Sequence, residues 1–286
     1  MAVDQRNSGN SQSIAPGIVY TVDRWICGVE GGTVTGQRVQ GATVGQFRYQ
    51  FTGASSVTRI GFGQRIEQLN SADLAGTTVT LSLDLANSLL TTVTWTASYA
   101  NTADNFSALT TIATGTFTVS GTLTRYSTNI NIPVAATTGI QIYLTVDNQT
   151  SGTWTIGNVQ LETGIIATPF ERRSYGQELA LCQRYYEQSF EGANPAVIGG
   201  MIQNFNSNGS INTAALQVVF KITKRASPTV TSYSPSSGAS GFIRDGSGAD
   251  RTATVQYVNS FGAHITNSAI GNLANYSAQW TASAEL

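Results

Sequence analysis

The sequence predicts an all-β protein with an N-terminal jelly-roll sandwich, one central helix and a smaller C-terminal β domain. Three observations carry that expectation. Apolar residues recur at every second position in run after run, the period of a half-buried strand. Gly, Asn and Ser separate those runs as turns. Only between Ala167 and Phe190, ATPFERRSYGQELALCQRYYEQSF, does the period lengthen to that of a helix. The division that follows is a flexible arm over 1–18, a jelly-roll sandwich over 19–166, a linker and helix over 167–190, and a β domain over 191–286.

Residues 1–18 are rich in Ser, Asn and Gln and lack periodicity, the composition of a segment that stays disordered or orders on a partner. Strands are expected over 44–51 and 57–66. Over 77–85 the residues Val79, Leu81, Leu83 and Leu85 alternate with Thr, Ser and Asp. Val93, Trp95, Ala97 and Tyr99 repeat the pattern, as do Phe117 with Val119, then Ile130, Ile132 and Val134, then Ile140, Ile142, Leu144 and Val146. A last strand, over 154–161, follows the Ser151-Gly152 turn. Many short strands with turns between them and no intervening helix indicate two packed sheets of the jelly-roll kind.

Pro169 favours an extended Thr168 before it, and Ser174 with Gln177 fits a capping box. A helix is therefore expected over 175–188. Leu179, Cys182, Tyr186 and Ser189 fall on one stripe of it, with Leu181 and Tyr185 alongside. So wide an apolar face needs a partner, and Leu179, Cys182 and Tyr186 are the candidate oligomer seam. Beyond the helix, short alternating runs occupy 196–204, 214–222, 229–233, 253–258, 264–267 and 276–282, with a turn at Asp245-Gly246-Ser247-Gly248. No period of 20 to 50 residues recurs, which disfavours a solenoid.

Charged residues make up 11% of the chain, well below the ~25% of an ordinary soluble domain. Thr, Ser, Asn, Gln and Gly take their place, a surface suited to packing against copies of itself and to contact with glycans. The net charge is −1, and the largest basic cluster, Lys221, Lys224 and Arg225, is too small to neutralise a run of phosphates. Nucleic acid is thus not an expected partner, and the cluster reads as a solvated strand end. Two cysteines, Cys27 and Cys182, make no disulfide framework, and Cys182 is expected as a buried free thiol. No segment approaches the ~20 apolar residues of a membrane span, and the start, MAVDQRNSGNSQS, has no apolar run of the signal-peptide kind. Synthesis in a cytoplasm is the expectation.

The residues offer little to a catalyst. His264 is the only histidine, and no G-x-S-x-G elbow accompanies it. Gly61-Phe62-Gly63 lacks the third glycine, the helix and the lysine of a phosphate loop, so its glycines read as serving a bulge or close sheet packing. Asp73, Asp84, Asp104 and Asp147 are the carboxylates a glycoside hydrolase would draw on. Their positions show no such pairing. Loop carboxylates suit a structural Ca²⁺, yet nothing in their spacing requires one; no cofactor and no enzymatic activity are expected. Sugars stack on aromatic rings with polar groups around the rim. Trp95 and Tyr99 share the core face of their strand with Val93. Tyr126 and Tyr143 read as lying on polar faces and Phe106 as exposed in the loop 101–107. Those three are the candidate glycan contacts, and packing of the two tyrosines against a neighbouring subunit is the alternative.

Gly157-Asn158-Val159-Gln160-Leu161-Glu162-Thr163-Gly164, Ala167-Thr168-Pro169-Phe170-Glu171-Arg172 and Glu178-Leu179-Ala180-Leu181-Cys182-Gln183-Arg184-Tyr185-Tyr186 resemble a junction found in structural proteins of tailed bacteriophages. The resemblance extends to Tyr20-Thr21-Val22-Asp23-Arg24-Trp25 and to Trp280-Thr281-Ala282-Ser283-Ala284-Glu285-Leu286. It implies a non-catalytic virion protein, a short tail fibre or appendage that assembles as a homotrimer with other virion proteins and resides on the particle. The first half also resembles the galactose-binding-like sandwiches used as carbohydrate-binding modules. That resemblance implies a contribution to recognition of host surface polysaccharide. The alternative is a capsid or baseplate decoration protein with no receptor.

Overall fold

The computed structural model describes residues 1–196, 214–267 and 276–286. Contacts divide the chain into two compact units, Met1–Asp4 and Gly9–Ser174 with Leu286, and Gln5–Ser8 with Tyr175–Glu285. The fold is all-β, with one α-helix among the described residues.

The first unit contains, in chain order, β1 (Gln12–Ile14), β2 (Gly17–Tyr20), β3 (Trp25–Glu30), β4 (Val34–Gln40), β5 (Phe47–Thr52), β6 (Arg59–Ile66), β7 (Thr78–Asn87), β8 (Thr92–Thr102), β9 (Asn105–Thr118), β10 (Thr124–Asn131), β11 (Ile140–Asp147) and β12 (Thr153–Thr163). They form two six-stranded sheets, β1-β4-β5-β12-β7-β10 and β2-β3-β6-β11-β8-β9. Every ladder is antiparallel, so hairpin-like connections suffice. The inward residues of both sheets form one core. Val79, Leu81, Leu83 and Leu85 of β7 are fully buried, as their alternation requires. A chain of rings links the sheets: Trp25 on Phe62 at 4.9 Å, Phe62 on Tyr49 at 5.1 Å, Tyr49 against Phe51 at 5.0 Å, and Phe51 on Trp154 at 5.5 Å. Each such pair contributes about 0.5–1.5 kcal/mol beyond the area it buries.

Three expectations for this unit are corrected. Residues 1–18 are not a free arm. Gln12–Ile14 pairs with β4 and Gly17–Tyr20 with β3, while Val3 and Ile14 are buried to 2% and 1% exposure. A backbone ladder needs no alternation in the side chains of its strand, so a polar Ser/Gln segment can pair wherever one or two apolar anchors hold it. The strand expected over 44–51 begins only at Phe47, and Val44 is 85% exposed in the preceding loop. The loop expected over 101–107 is the tight turn between β8 and β9, where Asp104 has φ +56°, and β9 runs on for fourteen residues. β9 is an edge strand, largely exposed along both faces, which is why SALTTIATG carries no period-2 signal.

The second unit opens with α1 (Tyr175–Gln183), followed by β13 (Tyr186–Gln188), β14 (Ala214–Val219), β15 (Thr229–Tyr233), β16 (Phe242–Asp245), β17 (Asp250–Thr252), β18 (Thr254–Gln256), β19 (Gly262–Asn267), β20 (Tyr276–Ser277) and β21 (Gln279–Ser283). They make three small sheets, β13-β21-β15, β14-β19-β18 and β17-β16-β20, over a core that includes Leu216, Phe220, Ile243, Ile265, Tyr276 and Trp280. The run expected over 196–204 lies, from residue 197 on, outside the described residues. The Asp245 turn joins β16 to β17, and its carboxylate accepts bonds from the Ser247 and Ala249 amides, the Ser247 hydroxyl and Arg251. Burial opposes ionisation there, but those donors hold the group well below the usual carboxylate range.

The helix ends five residues earlier than expected. The Lys224 ammonium takes the Gln183 carbonyl at 2.6 Å, and from Tyr186 the chain pairs with β21 instead. Leu179, Cys182 and Tyr186 therefore do not form one helical stripe. Cys182 is buried and in no disulfide, Leu179 is half-buried, and Tyr186 lies on β13 beneath the Arg6 guanidinium, 3.6 Å from its ring centre. Nor is Lys224 part of a solvated basic patch: it is 2% exposed and paired with Glu187 at 2.6 Å. Burial lowers its pKa while Glu187 acts to raise it. Removing one partner of such a pair leaves a buried uncompensated charge. Glu187→Ala should cost about 3–5 kcal/mol in urea unfolding, while the double change Glu187→Leu with Lys224→Met should cost much less.

Candidate functional site

The site is built on β6, Arg59-Ile60-Gly61-Phe62-Gly63-Gln64-Arg65-Ile66. Alternation sends Ile60 and Phe62 into the core, both at 0% exposure, and turns Arg59, Gly61, Gly63 and Arg65 to the outer face of the second sheet. On the adjacent β11 the same face carries Gln141, Tyr143, Thr145 and Asp147. Tyr143 stands opposite Gly63 on one side and Thr96 on the other.

The Tyr143 side chain lies flat across β6 onto β3. A Cβ at Gly63 would fall 2.4 Å from its Cδ2, one at Gly61 2.3 Å from its ring, and one at Gly28 2.6 Å from its hydroxyl. Only glycine leaves room for the ring at these three positions. Burial pushes the phenol up to about 12, and a charge at Cys27 adds to this; Arg59, the Gly28 backbone and Arg65 pull the other way. The ring is half-buried, one face against backbone.

Hydroxyls and amides surround it. Thr94 and Thr96 of β8 pair with Thr116 and Thr114 of β9, and the Thr96 and Thr114 hydroxyls are 3.3 Å apart. Arg65 Nε donates to Gln141 Oε1 at 3.1 Å. At the other end Arg59 lies between Glu30, at 3.9 Å, and Asp147, at 3.8 Å. These pairs are largely exposed and each is worth at most about 1 kcal/mol, so their groups are free to exchange partners. A shallow cavity of about 180 Å³ opens beside them, lined by Leu90, Thr92, Thr94, Thr145 and Asp147 among others. The arrangement suits an uncharged, hydroxyl-rich ligand laid on the tyrosine.

Of the three aromatic candidates, the structure leaves Tyr143 on this face, turns Tyr126 inward against the core and buries Phe106. Tyr126 stands opposite Leu83 and four residues from Ile130, both buried. It therefore shares their inward face and packs on Phe117 at 5.6 Å. The polar phase of β10 belongs to Arg125, Ser127 and Asn129. Phe106 is 6% exposed, tucked where a Cβ on Gly139 would meet it at 2.9 Å and covered by the Arg65 guanidinium at 5.4 Å. The sequence reading of Gly61 and Gly63 as serving close sheet packing matches their place under the ring, but it connects neither them, nor Gly28, nor the threonine rows with Tyr143. Their signal is the Gly-Phe-Gly alternation on a strand whose neighbour carries an outward tyrosine.

The carboxylates are dispersed. Asp84 accepts from Arg125 at 3.3 Å and Asn158 at 2.7 Å. Asp104 accepts the Gln68 amide at 2.7 Å, and Asp73 sits in a short 3-10 turn, Ala72–Leu74. No group of three or more His, Cys, Asp or Glu that could hold a metal ion occurs among the described residues. His264 is on β19, edge-on to Tyr257 at 5.4 Å.

No protein-family model matches the chain, and no curated protein matches it. Among solved structures it is similar to a CBM4 structure, at 17% identity and TM-score 0.38, over 57% of this chain and 92% of that one. It is similar also to the enzymatically active domain of bacteriophage CBA120 tailspike protein 4, at 17% identity and TM-score 0.37, over 49% of this chain and 19% of that one. A third is TmCBM61 in complex with beta-1,4-galactotriose, at 14% identity and TM-score 0.33, over 49% of this chain and 88% of that one. With TM-scores below 0.5 these likenesses assign neither ligand nor activity, and the fold rests on the strand order itself.

Two measurements test the platform. Gly61→Ala should lift the Tyr143 ring and cost about 1–3 kcal/mol of stability, the range for an overpacked site. Tyr143 has a folded pKa of about 12 against an ordinary 10.0. Its stabilising contribution is thus complete below pH 10 and is lost as pH rises towards 12. Alkaline unfolding should flatten over that window in Tyr143→Phe.

Proposed function

We propose that the chain is a non-catalytic structural subunit of a tailed-phage particle whose first unit holds host-surface glycan on the outer face of its second sheet. The observation that carries the binding reading is the Tyr143 ring laid on Gly28, Gly61 and Gly63, with threonine hydroxyls, the Gln141 amide and the Arg59 and Arg65 guanidiniums around it. An aromatic face offers a sugar's C–H groups a dry surface, while threonine hydroxyls, Gln141 and the Arg59 cluster supply its hydroxyls with donors and acceptors. Binding rather than cleavage is favoured because Glu30 and Asp147 share Arg59 as partner. A hydrolase needs one of its two carboxyls kept protonated as the acid. The phage assignment rests on the resemblance of residues 157–186, and the homotrimer is part of it. Leu179 and Cys182 lie on α1 and Tyr186 on β13, so a seam that used them would not be a single helix stripe.

A glycan array with the full chain tests the reading. Saturable binding to a subset of polysaccharides, weakened at least tenfold by Tyr143→Ala and severalfold by Thr94→Ala, is expected, whereas Tyr126→Ala should lower stability and leave binding intact. Binding indifferent to Tyr143 and Thr94 would dismiss the site. Light scattering should give about three times 30.2 kDa if the trimer forms.

A further inference from the structure

The second unit displays an aromatic cluster that the first unit's site does not use. Tyr257 is 74% exposed, Phe261 67% and Val219 64%. Val219 pairs with Gly262, the residue after Phe261, and the Phe220 amide donates to the Phe261 carbonyl at 3.0 Å. Tyr257 follows β18 directly and its ring meets His264 edge-on at 5.4 Å. All four belong to one end of the sheet β14-β19-β18.

The loop that presents them is fixed. Asn259 Oδ1 accepts from the Phe261 and Gly262 amides at 2.8 and 3.1 Å, and the Asn259 amide returns a bond to Gly262 at 3.0 Å. The Ser260 carbonyl accepts from the Lys224 amide at 2.9 Å. Within this rigid turn Tyr257 has φ +52°, a conformation that costs a bulky side chain free energy. The other described non-glycine residues with positive φ are Ser, Asp, Asn and Arg. Here a strained backbone holds out a largely exposed aromatic ring whose ring contact is with His264.

Below the ring, one register row runs Gln217, His264, Gln256 across the outer face, and Thr254 with Thr266 forms the next. Ala214–Val219, Thr254–Gln256 and Gly262–Asn267 contain no Asp, Glu, Lys or Arg. A preorganised ring beside amides, an imidazole and hydroxyls, without formal carboxylate or ammonium charge, matches a neutral polyol better than an ionic ligand. From this we infer that the outer face of the β14-β19-β18 sheet is a second carbohydrate-contact site, taking an uncharged sugar ring on Tyr257 with Gln217, His264 and Gln256 at its hydroxyls. It is independent of the Tyr143 site in the first unit.

The single histidine makes the test direct, because the full chain gives one imidazole spin system in its proton NMR spectrum. Neutral hexasaccharides of glucose, galactose and mannose, and a hexuronate as charged counterpart, are titrated to 10 mM. A saturable shift of the His264 signals by at least one neutral probe, unchanged in Tyr143→Ala and reduced at least tenfold in affinity by Tyr257→Ala, is the expected result. Tyr257→Gly relieves the strained φ, so it should raise Tm while abolishing the shift; this keeps the test decisive if the Ala variant folds poorly. No shift with any neutral probe overturns the inference, as does an equal or stronger response to the hexuronate. So does a shift that depends on protein concentration without sugar and disappears in Tyr257→Gly, which would make the cluster a contact between copies of the chain.

Discussion

The first unit depends on one contact, the Phe62 ring of β6 stacked on the Tyr49 ring of β5 at 5.1 Å and 11°. It is where the two sheets meet, and through Trp25, Phe51 and Trp154 it extends into a continuous aromatic layer. A strand can send Phe62 inward only by sending its neighbours outward, and those neighbours are Gly61 and Gly63. The same three residues thus place a ring in the aromatic layer of the core and leave two positions without side chains on the surface. Tyr143 fills that emptiness. The residue that carries the proposed glycan contact is, from the backbone's side, a cover for glycines that would otherwise weaken β6.

The two units show different ways of handling polarity in a chain with few charges. In the first, the outer faces carry threonine, serine, glutamine and asparagine in cross-strand pairs, and charges there are tied to one another, Asp84 to Arg125 and both Glu30 and Asp147 to Arg59. In the second, a buried lysine is among the charged groups placed inside, together with Glu187 and Asp245. Lys224 and Glu187 sit in the interior, and the lysine also takes the last carbonyl of the helix. Desolvation makes such a pair a weak source of stability. Its structural effect is to set where α1 stops and where the chain turns into β13.

The fold class was legible because strands with one buried face announce themselves: Val79 to Leu85 and Ile140 to Val146 are read directly from their period. What escaped had no such face. β9 is an exposed edge, β1 is a polar ladder, and the β16–β17 hairpin has strands of four and three residues, too short to show a period. Register also misled. Tyr126 reads as lying on a polar face in the sequence, and only its pairing with Leu83 shows that this side is inward. Phe106 reads as exposed in a loop over 101–107, whereas it lies on β9 and is buried where Gly139, more than thirty positions away, makes room for it. Sequence spacing located Tyr143 on the outer face of its strand; the three glycines beneath it come from two other strands and are assembled only by the sheet.

The interior placement of Lys224 bears on how this protein can be handled. The chain has two lysines, Lys221 and Lys224, and the second is sealed in its ion pair while the first is exposed. Amine-directed coupling therefore has one side chain to react with, apart from the α-amino group. Beads, dyes and sensor surfaces attached in this way are confined to those two amines and leave the Tyr143 and Tyr257 rings unmodified.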